Sequence, residues 1–191
     1  RASGRPRYSR SAADLRDVIF VGHSVSSIIG ILAASEQPDR FKQLILIGPS
    51  PRYINDPPNY RGGFERAEIE GLLDLMDKNY LGWASFLAPM VMQNGERPEL
   101  QSELERSFCA MDPKIARHFA EVTFLSDNRS DLGKVTVPSI VLQCSQDVIA
   151  PEHNPITIEF RTHFTAVTHI IRTTNDVPSP SNLGRSVRCV S

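Results

Sequence analysis

The chain has 191 residues, a length that suits one domain or a large part of one, and 40% of its residues are hydrophobic, enough to form a core. Its 21 Lys and Arg nearly balance 22 Asp and Glu, so a net charge of -1 disfavours binding to nucleic acid or to an anionic membrane. No apolar run approaches the roughly 18 residues of a membrane span, and the N terminus lacks the apolar core of a signal peptide.

Three cysteines, Cys109, Cys144 and Cys189, are far apart and form no CxxC pair. Their spacing from histidines does not suit a zinc site. Unpaired cysteines are typical of a reducing compartment. We therefore expect a cytoplasmic protein with no metal or other cofactor.

The chain begins with a segment that we predict to be disordered over residues 1–13, because Arg, Ser, Gly and Pro alternate there without any apolar period. The pattern then changes. Residues 17–21 form a short β-branched and aromatic run, residues 28–34 are apolar at helical spacing, and residues 41–48 form a second apolar run of strand length. This order predicts a strand, a tight turn, a helix and a second, parallel strand.

A Pro-rich segment over residues 50–63 precedes four stretches whose apolar residues recur every three or four positions. They are Ile69, Leu72, Leu73, Met76 and Tyr80; Trp83, Phe86, Leu87, Met90 and Val91; Leu100, Leu104 and Phe108; and Ile115, Phe119 and Val122. Asp112 followed by Pro113 predicts the start of the fourth helix. We expect a helical lid over about residues 52–131, whose apolar faces form a core and can also roof a ligand pocket.

Strand character returns over residues 135–144, and Asp147 follows at the end of that strand. Residues 152–191 contain few Leu and a Pro-Ser-Pro-Ser segment, so we predict an irregular tail. The fold class is therefore α/β: a doubly wound, mostly parallel sheet over residues 14–151 with the helical lid inserted between two strands.

Residues 22–26, Gly-His-Ser-Val-Ser, lie between the first predicted strand and helix, which is the setting of a G-x-S-x-G nucleophile elbow. Ser24 is the candidate nucleophile, and the backbone N–H of Val25 is the candidate oxyanion donor. Ser26 replaces the closing glycine of the motif. The alternative is a serine at an ordinary strand-to-helix turn.

A serine nucleophile needs a histidine base and a carboxylate that orients it. Asp147 is the candidate acid, because it follows a strand at the edge where sites in parallel sheets gather; the alternative is an aspartate that only forms a turn. No histidine lies in a motif that would complete the triad. Three histidines follow Asp147, and they are His153, His163 and His169. Of these, His169 is the least unfavourable candidate for the base. His23 and His118 are not taken as candidates.

The stretches FVGHS, LILIGPSPRYINDPPNYRGGFE, LMDKNYLGWA, FCAMDPKIARHFA and VPSIVLQCSQDVIAP closely resemble the RsbQ-type α/β-hydrolases of bacteria. These proteins help to activate a general stress-response sigma factor, and plant strigolactone and karrikin receptors belong to the same fold group. The resemblance implies a partial α/β-hydrolase fold with Ser24 as nucleophile, Asp147 as acid and a four-helix lid over an apolar pocket. It also implies two partners, a small hydrophobic molecule and a phosphatase with a PAS module.

The chain departs from that family at both ends, where the early strands with their His-Gly oxyanion loop and the late Gly-His turn are not recognisable. We expect that it is truncated or frame-shifted at both ends. The resemblance favours a serine hydrolase of the stress-signalling type that binds or cleaves a small hydrophobic ester. The alternative is an inactive fragment, or a module that binds a ligand or partner without turnover.

Overall fold

A computed structural model describes residues 14–144 and 147–151, together with the backbone of residues 168–171. Four strands and six helices occur in these ranges. In chain order they are β1 (Val18–His23), α1 (Val25–Glu36), β2 (Phe41–Ile47), α2 (Arg66–Lys78), α3 (Tyr80–Met92), α4 (Pro98–Cys109), α5 (Pro113–Leu125), α6 (Arg129–Leu132), β3 (Ser139–Cys144) and β4 (Thr168–Ile171).

The strands form one sheet in the order β1-β2-β3-β4, and every pair is parallel. Val21 of β1 pairs with Ile45 of β2, which pairs with Ile140 of β3. Because the strands are parallel, their carboxyl ends lie at one edge of the sheet. The α/β class predicted from the sequence is confirmed, and so is the parallel pairing of the first two strands.

Helix α1 covers one face of this sheet. Phe20 of β1 packs beside a core that includes Ile28 and Ile31 of α1 and Leu44 of β2. Gly30 lies so close to the Phe20 ring that a Cβ atom there would be 2.4 Å from a ring carbon. The tight packing of α1 on β1 determines where the turn between them lies.

Strand β4 is a difference from the sequence expectation, because it lies in the tail predicted to be irregular. Four residues with Thr and His among them are too short to show an apolar period. Pairing with β3 supplies the strand conformation, as tertiary context commonly does for weak β propensity. The other residues of the tail, and the predicted disordered segment 1–13, lie outside the described residues.

Helices α2 to α5 lie between β2 and β3, where the sequence predicts the lid. Asp112 caps α5 as expected, with its Oδ1 accepting from the backbone N–H of Lys114 at 2.9 Å and of Ile115 at 3.1 Å. Tyr80 differs from the expectation: it begins α3 instead of ending α2, because the Asn79 side chain accepts from Gly82 N–H at 3.0 Å and caps a new helix.

The lid has its own core, separate from the core under α1. Trp83 is at its centre, with its ring centroid 5.3 Å from that of Tyr80 and 5.1 Å from that of Phe108. Tyr80 also donates a hydrogen bond from its hydroxyl to the Phe108 carbonyl oxygen, at 2.8 Å. These contacts join α3 to α4.

Four charged side chains connect the two ends of the lid, and we call them the lid neck: Arg52 and Asp56 at its start, Asp127 and Arg129 at its end. Asp127 accepts from Arg52 at 2.5 Å and from Arg129 at 2.7 Å, and Arg129 also donates to Asp56 at 2.9 Å. The hydrogen bonds from Arg129, the largest cause, and from Arg52 hold the pKa of Asp127 well below its ordinary value against an opposing effect of desolvation.

We predict that Asp127→Asn lowers the free energy of unfolding at pH 7 by about 1 kcal/mol, a modest loss because Asp127 is partly exposed. A pKa lowered by folding gives stability that is present above the ordinary value of 3.8 and is lost as pH falls below it. The difference in the free energy of unfolding between the wild type and the variant should therefore become smaller below about pH 4. Urea unfolding of both proteins at pH 7 and pH 3 measures this difference.

The matched control is Asp74→Asn, which removes an exposed i,i+4 pair with Lys78 on α2. Such a pair contributes only a few tenths of a kcal/mol. An equal effect of the two substitutions at pH 7 would contradict a structural role for the lid neck.

Candidate active site

Ser24 occupies the sharp turn between β1 and α1. Its φ of 54° and ψ of -124° form a backbone conformation that residues other than glycine rarely adopt. Two hydrogen bonds stabilise the turn: Ser24 N–H donates to the Ile47 carbonyl oxygen at 2.8 Å, and the Ser27 hydroxyl donates to the Gly22 carbonyl oxygen at 2.8 Å. The turn thus presents Ser24 beyond the end of β1.

Gly22 permits this turn because β1 and α1 approach each other closely there. A Cβ atom at Gly22 would lie 2.7 Å from both the Ser26 carbonyl oxygen and the Ser27 nitrogen, distances that real contacts do not reach. Ser26, which replaces the last glycine of the motif, has an exposed side chain. The close approach of β1 and α1 therefore requires glycine at position 22, the first position of the motif.

Asp147 follows β3 at the same edge of the sheet. Its Oδ1 accepts from the backbone N–H groups of Ile149 and Ala150, both at 2.9 Å. This oxygen therefore stabilises a turn, which is the role that the sequence analysis gave as the alternative to a catalytic acid. The other oxygen lies 3.4 Å from the position of a Cβ atom at Gly48, whose φ is +54°. Asp147 therefore lies next to the end of β2, between β3 and Ser24.

Ser24, Val25 and Asp147 lie on the wall of one cavity of about 1380 Å³ between the sheet edge and the lid. This volume exceeds the roughly 300–1,000 Å³ that is usual for ligand sites. Ile115 and Phe119 of α5 line the cavity although they are 71% and 55% exposed, so it is open to solvent at this helix. The other apolar side chains of the wall include Trp83, Leu87, Val91, Phe108, Met111, Phe124 and Ile149.

Tyr53 is a site residue that sequence reasoning missed. It is only 2% exposed and lines the cavity close to the Ser24 side chain. Burial, the largest cause, raises the pKa of Tyr53, and the charge of Asp147 raises it further, while the interaction with the Ser24 hydroxyl lowers it. The phenol is therefore neutral at pH 7. Phe124 packs against its ring with centroids 5.1 Å apart.

No histidine makes a hydrogen bond to Ser24 in the part of the chain that the structure describes. His23 lies at the cavity wall with an exposed side chain, and His118 is exposed on α5. The backbone of His169 in β4 pairs with that of Leu142 in β3. Strand β4 is the third strand along the sheet from β1, so the two strands are about 14 Å apart at the usual strand spacing. His153 and His163 lie outside the described residues.

Two other chemistries receive no support in the described ranges. Cys144 lines the cavity, but burial, and then the charge of Asp147, raise the pKa of its thiol, so it is a poor nucleophile at pH 7. No group of three His, Cys, Asp or Glu residues in these ranges could bind a metal ion. None of the described helices is long and apolar enough to cross a membrane.

Comparison with known proteins relates the chain to α/β hydrolases. It is 40% identical over 132 residues to strigolactone esterase RMS3 of Pisum sativum, a match that covers 69% of this chain and 49% of the esterase. It is 38% identical over 133 residues to karrikin insensitive 2 receptor CA of Petunia hybrida, covering 70% and 49% of the two chains. No known family profile matches the sequence.

A solved hydrolase of Oleispira antarctica has the same fold and is 41% identical, with a TM-score of 0.76 over 84% of this chain and 58% of the hydrolase. A bromoperoxidase of Bacillus anthracis, at 17% identity and a TM-score of 0.73, shares the fold alone. The chain spans about half the length of the curated relatives it matches. Its fold is a partial α/β-hydrolase fold.

We predict that Gly22→Ala lowers the free energy of unfolding by about 3 kcal/mol, because the added methyl group cannot fit between β1 and the start of α1 without separating them. Chemical denaturation measures the change. Gly71→Ala is the control: nothing lies within 4 Å of its added Cβ atom on α2, and alanine should stabilise that helix by up to about 1 kcal/mol. The two substitutions should therefore change the free energy of unfolding in opposite directions. A Gly22→Ala variant as stable as the wild type would contradict the close approach of β1 and α1.

Proposed function

We propose that this protein of α/β-hydrolase fold binds a small hydrophobic molecule with an ester-type carbonyl group against Ser24. The observation that carries the proposal is the position of the strained turn: Ser24 and the start of α1 lie on the wall of the large apolar cavity under the lid. A cavity of this kind buries an apolar ligand, while a few polar groups orient it. Ser24, Val25 and Tyr53 are those groups here.

The chemistry that this site would support is acyl transfer. The Ser24 oxygen would attack the ester carbon and form an acyl-enzyme as the alcohol leaves, and water would then release the acid. The N–H of Val25 lies in the first turn of α1, where backbone donors lack partners within the helix, so it would stabilise the oxyanion. Asp147 would orient a histidine base.

Turnover requires that base, and among the residues that the structure describes no neighbour of Ser24 provides it. Tyr53 is a neutral phenol whose raised pKa makes it a donor near neutral pH, and such a group does not accept the serine proton. Loss of a triad member costs up to about 10⁶ in turnover in serine proteases. A buried, neutral Tyr53 close to Ser24, in place of a described base, therefore favours a second candidate function, in which the chain binds its ligand without cleaving it.

Binding without turnover agrees with a signalling role. The two relatives described above are named as an esterase and as a receptor, so proteins of this fold group are named for either activity. We extend the proposal to the role that the RsbQ resemblance implies: a cytoplasmic protein that, in response to its ligand, acts on a PAS-containing phosphatase in a sigma-factor pathway.

Ester hydrolysis tests the catalytic half of the proposal. We predict that the purified chain cleaves p-nitrophenyl acetate no more than about twofold faster than its Ser24→Ala variant, since no described group removes the serine proton. A fluorophosphonate probe should likewise leave Ser24 unlabelled. A rate far above that of the variant, together with labelling, would show that a histidine outside the described residues acts as base.

Ligand binding tests the other half, and the chain contains a reporter for it, because its one tryptophan, Trp83, lines the cavity. We predict that p-nitrophenyl butyrate quenches Trp83 fluorescence saturably in the Ser24→Ala background. Phe119→Asp, which adds a charge to the cavity wall, should weaken this binding by about tenfold. The control is Leu81→Asp, on an equally exposed residue of α3 that does not line the cavity. Equal effects of both variants, or no saturation, would contradict the proposed site.

A further inference from the structure

The cavity under the lid extends well beyond Ser24 along helix α5. Near the end of α5, Phe124 packs against Tyr53, with ring centroids 5.1 Å apart, and Tyr53 lies close to the Ser24 side chain. Ile115 of the same helix also lines the cavity and precedes Phe124 by nine residues, or about 13 Å at the rise of an α-helix. A ligand bound at Ser24 therefore has an extended wall beside it.

The wall that α5 forms is almost entirely apolar. Thr123 is the one polar side chain that this helix contributes to the cavity, and it lies near the end of the helix, on the side of Ser24. Toward the start of α5 the side chains are Phe119, Ile115 and two alanines, with Met111 just before the helix. A ligand segment against this part of the wall finds no strong hydrogen-bonding side chain, so we expect that segment to be hydrocarbon.

Helix α3 forms a second apolar wall of similar length. Trp83, Leu87 and Val91 recur every four residues on one face of α3 and line the cavity over about 12 Å. The loop that follows α3 is polar, and its side chains in the cavity wall are Gln93, Asn94, Glu96 and Arg97. A hydrocarbon segment that lies against α3 should end before this loop, which limits its length.

The residues of these two walls all belong to the lid. Residues 52–131 are described without a gap, so the length and the apolar character of the walls are properties of this segment. Met92 ends α3 and Met111 precedes α5, and both line the cavity. Because methionine side chains adapt their shape easily, this wall suits a flexible chain better than a rigid ring system.

We propose that the ligand at Ser24 carries an unbranched hydrocarbon chain of medium length, as in an octanoyl or decanoyl ester. This inference rests on the proposed function, because it takes the ester carbonyl group to be bound by Ser24, Val25 and Tyr53. From there the chain would follow α5 past Phe119 to Ile115, in contact with α3. The ligand class is thus a medium-chain acyl ester, as distinct from a short or compact one.

Chain length tests the proposal through Trp83 fluorescence in the Ser24→Ala background. p-Nitrophenyl octanoate, kept below its solubility limit, should bind at least about 30-fold more tightly than the butyrate, since each additional methylene group is removed from water. Ile115→Asp should weaken octanoate binding by about tenfold and butyrate binding by less than about twofold, because only the longer chain reaches that position. Retained butyrate binding also shows that the variant is folded.

Val122→Asp is the matched control. Val122 is exposed on the same helix, as Ile115 is, but it does not line the cavity. This substitution should leave the binding of both esters unchanged. A second control is a ligand, p-nitrophenyl adamantanecarboxylate, whose hydrocarbon group is compact and does not reach Ile115. Its binding should be unaffected by Ile115→Asp and weaker than that of the octanoate.

The outcomes separate this inference from the proposed function. An octanoate that binds no more tightly than the butyrate, an adamantane ester that binds more tightly than the octanoate, or an equal effect of Ile115→Asp on octanoate and butyrate would overturn the medium-chain ligand and leave the site at Ser24 in place. Failure of every ester to quench Trp83 would contradict the proposed function and the inference with it. A loss confined to the octanoate in Ile115→Asp, and absent in Val122→Asp, would establish the proposal.

Discussion

The contact between the end of β1 and the start of α1 is the constraint on which the site depends. Gly22 lets the two elements approach within van der Waals distance, and the chain then has room for only one residue between strand and helix. That residue, Ser24, adopts a strained backbone conformation because the hydrogen bond from its N–H to Ile47 fixes it on one side and the helix on the other. The turn thereby places Ser24 and the start of α1 on the wall of the cavity.

Parallel pairing extends this constraint to the other site residues. Because β1, β2 and β3 run the same way, Ser24, Gly48 and Asp147 follow them at one edge. The long insertion between β2 and β3 begins and ends near that edge, and the lid neck joins its two ends through Arg52, Asp127 and Arg129. The lid therefore covers the same edge that carries Ser24. A hydrophobic cavity with polar groups at the sheet edge therefore results from the parallel direction of the strands and from the charged side chains of the lid neck.

Much of this arrangement could be predicted from the sequence, because the relevant signals are local. Short β-branched runs, the Gly-His-Ser turn and Asp112 before Pro113 each describe a structure formed by neighbouring residues. Two features could not be predicted. Strand β4 exists through pairing with β3, and Tyr53 lies in a Pro-rich segment without periodicity, where only the folded chain brings its hydroxyl to Ser24. The one sequence feature that could have indicated Tyr53 as a site residue was its position within a segment that resembles the hydrolases.

If the proposed function holds, the identity of the residue beside Ser24 separates binding from catalysis in this fold. A histidine beside the serine accepts its proton near neutral pH, whereas a buried tyrosine near a carboxylate remains protonated and can only share a hydrogen bond. Two neighbouring hydroxyls suit the recognition of a carbonyl oxygen, since each can donate a hydrogen bond to it. Under the proposed function, Tyr53 and Ser24 would orient the ligand without activation of Ser24 as a nucleophile. Under the proposed function, the residue that contacts Ser24, more than the strand-to-helix turn itself, would therefore determine whether a ligand in this cavity is bound or cleaved.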